Sequence, residues 1–190
     1  CKHELNLLDL FPVFSYIFLK GKCRYCHTKL SIKHLLYEVG LGIIFCLIIY
    51  KYDLSLKTVE GILFASILAI ISFCDYEDMI IPDEYVVIGI ILRAIFMVYE
   101  KSYVDSLLGG FVISISLLTI VFITEKILKK EAMGGGDIKL IFMTGLYLGL
   151  FRNFLCLFVA CILGLIYGII TRDRDDLAFP FGPSIALGAI

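Results

Sequence analysis

The chain has 190 residues, of which 60% are hydrophobic and 18% are charged, and its formal net charge is -1. Soluble domains usually carry roughly 25% charged and 45–50% apolar residues, and the mean hydropathy of this chain is +0.95. This composition excludes an ordinary soluble globule, a disordered chain and a basic nucleic-acid-binding domain.

Long apolar segments separated by charges predict the architecture. A membrane-spanning helix needs about 20 predominantly apolar residues, and runs that are continuous rather than alternating argue against a β-barrel. Six such segments and the first turns of a seventh lie at 35–50, 58–74, 85–99, 106–124, 138–151, 154–170 and 184–190. We therefore predict an all-α polytopic membrane protein with about six full transmembrane helices plus the start of a seventh.

The N-terminal part differs from the rest of the chain. Residues 1–34 are polar and basic and contain three of the seven cysteines, so they predict a small cytoplasmic region. Residues 35–190 predict the transmembrane domain. Because the seventh segment stops at Ile190, we interpret the chain as a piece of a longer protein.

Lysines and arginines predict the orientation, since cytoplasmic loops are enriched in them. Of the 17 such residues, six lie in 1–34 and six in later loops on the same side, giving 12, against four on the opposite side. This bias places the N-terminal region and the loops 75–84 and 125–137 at the cytoplasmic face. Arg93 lies inside the third segment, where it either pairs with a buried carboxylate or extends towards the helix end.

Two aspartates are predicted at that same face. Asp75 ends the second segment, and Asp137 opens the fifth after a run of three glycines. Ionisable groups at membrane depth are costly, and they are therefore functional-site candidates. Two carboxyl groups held close together share one proton, so that one activates a water while the other protonates a carbonyl oxygen. The helix dipole favours the carboxylate at Asp137, which predicts Asp137 as the base and Asp75 as the acid.

Other interpretations of these residues remain open at this point. The glycine run and Asp137 are also typical of a turn followed by a helix N-cap. A small transporter equally accommodates intramembrane aspartate, arginine and glycine-broken helices. A membrane scaffold without catalytic chemistry is the third alternative.

Several motifs together resemble one family along essentially the whole chain. Asp75 is followed by Ile81-Pro82-Asp83 and, later, by Gly134-Gly135-Gly136-Asp137-Ile138-Lys139. Further matches are Asp9-Leu10-Phe11-Pro12-Val13-Phe14-Ser15-Tyr16, Gly21-Lys22-Cys23-Arg24-Tyr25-Cys26, Glu38 and Pro180-Phe181-Gly182-Pro183. The chain thereby resembles the bacterial prepilin peptidases, which are membrane aspartyl proteases of the GxGD type.

The resemblance implies an activity and a location. The family cleaves the short basic leader from type IV prepilins or related pseudopilins, at the cytoplasmic face of the inner membrane. By match to the family motif, Asp75 and Asp137 form the catalytic pair, and proteolysis needs no cofactor. The residues expected to support the active site or the substrate are Gly134, Gly135, Gly136, Pro82, Asp83 and Lys139. Many members also methylate the new N-terminus with S-adenosylmethionine.

The resemblance also bears on the cysteines. Cys23 and Cys26 form a C-x-x-C pair in a basic turn, and this spacing suits half of a tetrahedral zinc site. The family has a second such pair, of which Cys1 looks like the second member. We therefore predict Cys1, Cys23 and Cys26 as candidate ligands of a structural zinc ion. The family's usual first transmembrane helix would precede Cys1.

Overall fold

The structure is a computed structural model that describes residues 13–101, 103–129, 133–170 and 180–190. Seven helices follow one another along the described chain: α1 Phe14–Phe18, α2 Ile32–Tyr52, α3 Leu56–Asp78, α4 Asp83–Glu100, α5 Tyr103–Leu128, α6 Gly135–Ile170 and α7 Gly182–Ala189. The chain forms two compact units that divide between Thr58 and Val59. The prediction of an all-α chain is confirmed for the described residues.

Four of these helices are long and apolar enough to cross a membrane, namely α2, α3, α5 and α6. This number is smaller than the six full spans that the sequence predicts. The predicted third span lies on α4, whose 18 residues include the four charged side chains Asp83, Glu84, Arg93 and Glu100. The predicted fifth and sixth spans both lie on α6.

The helical stretch α6 reverses direction at Gly149. This residue has non-helical backbone angles, φ 76° and ψ 179°, and the positive φ favours glycine. A Cβ atom at this position would also collide with the carboxylate of Asp105, which accepts a hydrogen bond from the N–H of Leu150 at 3.3 Å. The sequence places the break between 151 and 154, and this placement is wrong because Asp105 caps a helix that begins directly after Gly149.

The reversal brings the two halves of α6 side by side. The Asn153 side chain is fully buried, and its Nδ2 atom donates to the carbonyl of Ile141 at 3.2 Å and to that of Gly109 at 3.1 Å. Ile141 and Asn153 are 12 residues apart, which would separate them by about 18 Å in a straight helix. The predicted fifth and sixth segments are therefore distinct helices that contact each other.

The core of the second unit lies between α3 and the later helices. Its fully buried side chains are mostly apolar and include Leu68, Ile71, Leu140, Ile141, Met143 and Ile185. Helix α5 approaches the first half of α6 closely, since a Cβ atom at Gly109 would lie 2.7 Å from the Cα atom of Gly149. Small residues at such crossings allow the backbones to pack directly against each other, as in membrane helix pairs.

A buried charged network, centred on Arg93, connects four helices of this unit. The guanidinium donates to Glu60 on α3 at 2.5 Å and to Glu100 on α4 at 2.9 Å. It also donates to the Ser106 hydroxyl on α5 at 2.8 Å and to the Leu146 carbonyl on α6 at 2.9 Å. Of the two interpretations of Arg93, the structure therefore supports pairing with buried carboxylates.

Candidate active site

Asp75 lies in the last turn of α3, and only 6% of its surface is exposed. The sequence places the end of this span at Cys74, but the helix continues to Asp78 and so holds Asp75 within regular structure. The carboxylate Oδ2 atom accepts a hydrogen bond from the backbone N–H of Gly182 at 2.7 Å. The start of α7 therefore lies directly against Asp75.

Asp137 lies in the first turn of α6 and is half-buried. Its backbone N–H donates to the carbonyl of Gly134 at 3.2 Å, so that the glycine run forms the turn that opens the helix. The carboxyl groups of Asp75 and Asp137 are close enough for their charges to interact. The fold thus brings together, from the ends of two helices, the two aspartates that the sequence predicts as a pair.

The predicted supporting residues surround the start of α4 and of α6. Pro82 is the N-cap residue of α4, and the exposed carboxylate of Asp83 accepts two hydrogen bonds from the Lys139 ammonium, both at 2.8 Å. This ion pair links the first turns of the two helices. It contributes little to stability because both side chains are more than half exposed.

The glycines before Asp137 differ in their surroundings. A Cβ atom at Gly136 would lie 3.0 Å from the Cβ atom of Ile81, and one at Gly134 would lie 3.3 Å from Oδ2 of Asp137. A Cβ atom at Gly135 would meet nothing within 4 Å. Close packing therefore favours a small residue at 136, next to the loop that follows α3, whereas a side chain at 135 would have open space around its Cβ atom.

A groove of about 420 Å³ opens beside this site. Asp83 contributes to its lining, as do Ile138 and Lys139, the two residues that follow Asp137 in the first turns of α6. The rest of its surface is mostly apolar and comes from α4, α5 and α6, with Val86, Ile90, Phe111, Ile115, Leu118 and Phe142 among its residues. An apolar segment of a bound chain fits such a lining better than a polar one.

Two stretches of the chain match known protein families. Residues 62–169 match the type IV leader peptidase family, and residues 1–52 match the bacterial peptidase A24 N-terminal domain. The first match covers more than half of the chain and includes both aspartates. The chain belongs to the type IV leader peptidase family.

Individual relatives from different bacteria carry the same name. The chain is 32% identical over 190 residues to the "Prepilin leader peptidase/N-methyltransferase" of Neisseria gonorrhoeae, covering 98% of this chain and 66% of the relative. It is 30% identical to the protein of that name from Pseudomonas putida and 29% identical to the one from Bacillus subtilis, covering 67% and 77% of these relatives and 98% and 100% of this chain. The chain therefore spans about two thirds of the length of the first two. No solved structure matches the chain.

The cysteine pair of this leader peptidase family member lies in a tight turn. The N–H of Cys23 donates to the Thr28 carbonyl at 2.9 Å, and the N–H of His27 donates to the Cys23 carbonyl at 3.0 Å. Hydrogen bonds from the side chain and backbone of Thr28, and then from Cys23, lower the pKa of Cys26 to about 7. The thiolate is the metal-binding form of cysteine, so the turn fits two ligands of a zinc site.

The predicted third zinc ligand, Cys1, lies outside the described residues. Within the described part of the chain, no three His, Cys, Asp or Glu side chains come together as a metal-binding group. The two thiols therefore supply at most half of a four-ligand site.

The contact between Gly182 and Asp75 could not be predicted from the sequence. Only two features of the sequence pointed to this region: the match of the Pro180–Pro183 motif to the family, and a proline near the start of a helix. Neither signal indicates that the helix begins against a residue more than a hundred positions earlier.

Proposed function

We propose that this protein is a membrane aspartic endopeptidase that removes the leader peptide from type IV prepilins or pseudopilins. The observation that carries the proposal is the charge interaction between Asp75 and Asp137, which lie at the ends of α3 and α6 inside the segment that matches the type IV leader peptidase family. The names of the curated relatives supply the substrate class.

The proposed chemistry follows from a pair of carboxyl groups that shares one proton. One carboxylate accepts a proton from a water molecule as the water oxygen attacks the scissile carbonyl carbon, while the other carboxyl group protonates the carbonyl oxygen. The tetrahedral intermediate then collapses as the first group protonates the leaving amine and the second recovers its proton. Burial of Asp75 supports this role, because exclusion of water strengthens electrostatic interactions within the site.

The substrate is proposed to occupy the groove beside Asp137. Because the aspartates lie at helix ends, the substrate residues on one side of the scissile bond must lie at the same depth in the membrane. An apolar substrate segment is favoured there. The apolar lining of the groove and its continuity with Ile138 and Lys139 support this placement. Asp83 and Lys139 are proposed to hold the rim of the groove, with Gly134, Gly135 and Gly136 leaving room for the substrate backbone.

We propose that the protein spans the bacterial inner membrane about six times, with a seventh helix begun at α7. The reversal at Gly149 supports counting α6 as two spans. The distribution of lysine and arginine supports a cytoplasmic N-terminal region and a cytoplasmic active site.

A transporter is the main rival, and the helix positions of the aspartates argue against it. Transported ions or solutes bind near the middle of the bilayer. Asp75 lies in the last turn of α3 and Asp137 in the first turn of α6, so both lie at helix ends rather than in the middle of a span.

The deciding experiment is leader removal in proteoliposomes that contain the purified protein and a prepilin with its leader. We expect a product shortened by the leader, identified by mass spectrometry, and no flux of ions or solutes. If the correctly inserted protein leaves the prepilin intact, the peptidase proposal is wrong.

We further propose a structural zinc ion held in part by Cys23 and Cys26, with Cys1 as a third ligand, and methyl transfer from S-adenosylmethionine to the processed pilin. The turn around Cys23 supports the first, and the relatives' name supports the second. Transfer of labelled methyl groups to cleaved pilin checks the methylation.

The zinc proposal makes its own prediction. In the doubly substituted variant Cys23→Ser/Cys26→Ser, the zinc content measured by elemental mass spectrometry should fall to background, because two thiolate ligands are lost. The matched control is Cys46→Ser/Cys161→Ser, which replaces two exposed cysteines of apolar helices. Equal zinc contents in the two variants would show that the C-x-x-C turn binds no metal.

A further inference from the structure

The first turn of α7 is built against Asp75. The Gly182 N–H donates to Asp75 Oδ2 at 2.7 Å, and both residues are buried. A Cβ atom at position 182 would lie 2.8 Å from that same oxygen. Glycine is therefore required here by close approach, since any side chain would displace the carboxylate that its backbone holds.

The position of α7 is itself fixed by the second half of α6. The Cys156 thiol lies 3.5 Å from the Ile185 carbonyl and donates to it, and the Ile185 side chain is fully buried. A Cβ atom at Gly188 would lie 2.6 Å from the Cys156 carbonyl oxygen, so the two backbones are in direct contact. Gly182 thus presents its N–H from a helix that is held in place, not from a free chain end.

The electrostatic surroundings of the two aspartates differ as a result. Asp75 accepts a backbone N–H at the positive end of a helix, and such a bond stabilises the carboxylate. The charges of Asp75 and Asp137 repel each other equally, so the pair holds one proton, and the Gly182 N–H favours the carboxylate form at Asp75. Helix α7 carries no charged side chain, and the carboxylate of Asp83 at the start of α4 is paired with Lys139.

We propose that Gly182 is a positioning residue that holds Asp75 as the ionised member of the pair, so that Asp75 accepts the proton of the attacking water and Asp137 is the acid. This inference rests on the proposed peptidase function and deepens it. These roles are the reverse of those that the dipoles of α3 and α6 alone predict. The reason is that the positive end of α7 lies against Asp75 at the end of α3.

With Asp75 as the base and Asp137 as the acid, every proton and bond in the reaction is accounted for. As the water O–H bond breaks, its proton moves to Asp75 and its oxygen bonds to the scissile carbon, while the proton of Asp137 moves to the carbonyl oxygen. On collapse the C–N bond breaks, Asp75 gives its proton to the amine, and Asp137 takes one from a hydroxyl of the intermediate. Both groups then regain their starting forms.

The test removes the N–H of Gly182 without adding atoms near Asp75. Cell-free synthesis into lipid nanodiscs can place glycolic acid at 182, which replaces the amide by an ester. We expect the acid limb of the pH–rate profile for prepilin cleavage to move to higher pH by about one unit, with kcat lowered and KM within twofold of wild type. The matched control is an ester at Leu187, an exposed residue of the same helix.

A second readout needs no substrate. In infrared titrations, the carboxyl band lost on Asp75→Asn should appear at higher pH in the 182 ester than in wild type or in the 187 ester. If the 182 and 187 esters give the same pH–rate profile and the same infrared titration, the positioning role is wrong. If wild type does not cleave prepilin while the infrared shift is present, the proposed function fails and the role of Gly182 in charging Asp75 stands.

A bulkier variant adds a separate check. Gly182→Ala should lose activity more severely than the ester, because the methyl group displaces the Asp75 carboxylate as well as disturbing the hydrogen bond. Gly168→Ala is its control, since a Cβ atom there meets nothing within 4 Å. Activity of Gly182→Ala equal to that of Gly168→Ala, in protein of equal yield, would contradict the close approach on which the inference depends.

Discussion

Asp75→Asn and Asp137→Asn are each expected to slow leader removal by about 10³- to 10⁴-fold or to below detection. An amide at either position can neither accept the proton of the attacking water nor supply one to the carbonyl oxygen. Because the two groups act as one pair, the double variant should be little slower than either single variant. Initial rates of prepilin cleavage in nanodiscs, at saturating substrate, provide the measurement.

The matched control for this prediction is Asp78→Asn. Asp78 is exposed at the end of α3, three residues after Asp75, so its replacement should leave the rate within about twofold because an exposed side chain outside the pair takes part in no proton transfer. All variants are compared at equal yield and equal size-exclusion profile. Cleavage near the wild-type rate by either the Asp75 or the Asp137 variant would exclude the catalytic pair and favour the transporter or scaffold interpretation.

Local chemistry explains why most of the helices could be predicted. Apolar runs identify α2, α3 and α5. The sequence predicts that each helix ends where charged residues begin, but a helix can continue past such a residue. The end of α3 illustrates this, because the apolar run stops at Cys74 while hydrogen bonding continues to Asp78. A charged residue in a final helical turn costs little when its side chain reaches water or a partner.

The features that could not be predicted depend on contacts between residues distant in sequence. The kink in α6 is set at Gly149 by Asp105 on another helix, whereas the sequence alone favoured the polar Arg152-Asn153 pair as the break. Asn153 turned out to be fully buried and hydrogen bonded. Similarly, the charge preference within the aspartate pair depends on where α7 begins, which the helix dipoles of α3 and α6 do not reveal.

Arg93→Met is expected to lower the free energy of unfolding by about 3–5 kcal/mol, the usual cost of removing one partner of a buried ion pair. The substitution leaves the carboxylate of Glu60, which is 8% exposed, without its guanidinium partner. It also removes the donors to Ser106 and to the Leu146 carbonyl. Reversible unfolding by SDS in mixed micelles, followed by circular dichroism, measures the difference.

A second substitution identifies the physical cause of the stability loss in Arg93→Met. If the loss arises from an uncompensated buried charge, Arg93→Met/Glu60→Gln should be more stable than Arg93→Met alone, since the neutral amide is cheaper to bury than the carboxylate. Arg152→Met, at an exposed position of α6, should change stability by less than about 0.5 kcal/mol. A double variant no more stable than Arg93→Met would show that the charge of Glu60 does not cause the loss, and would assign it to the missing hydrogen bonds to Ser106 and Leu146.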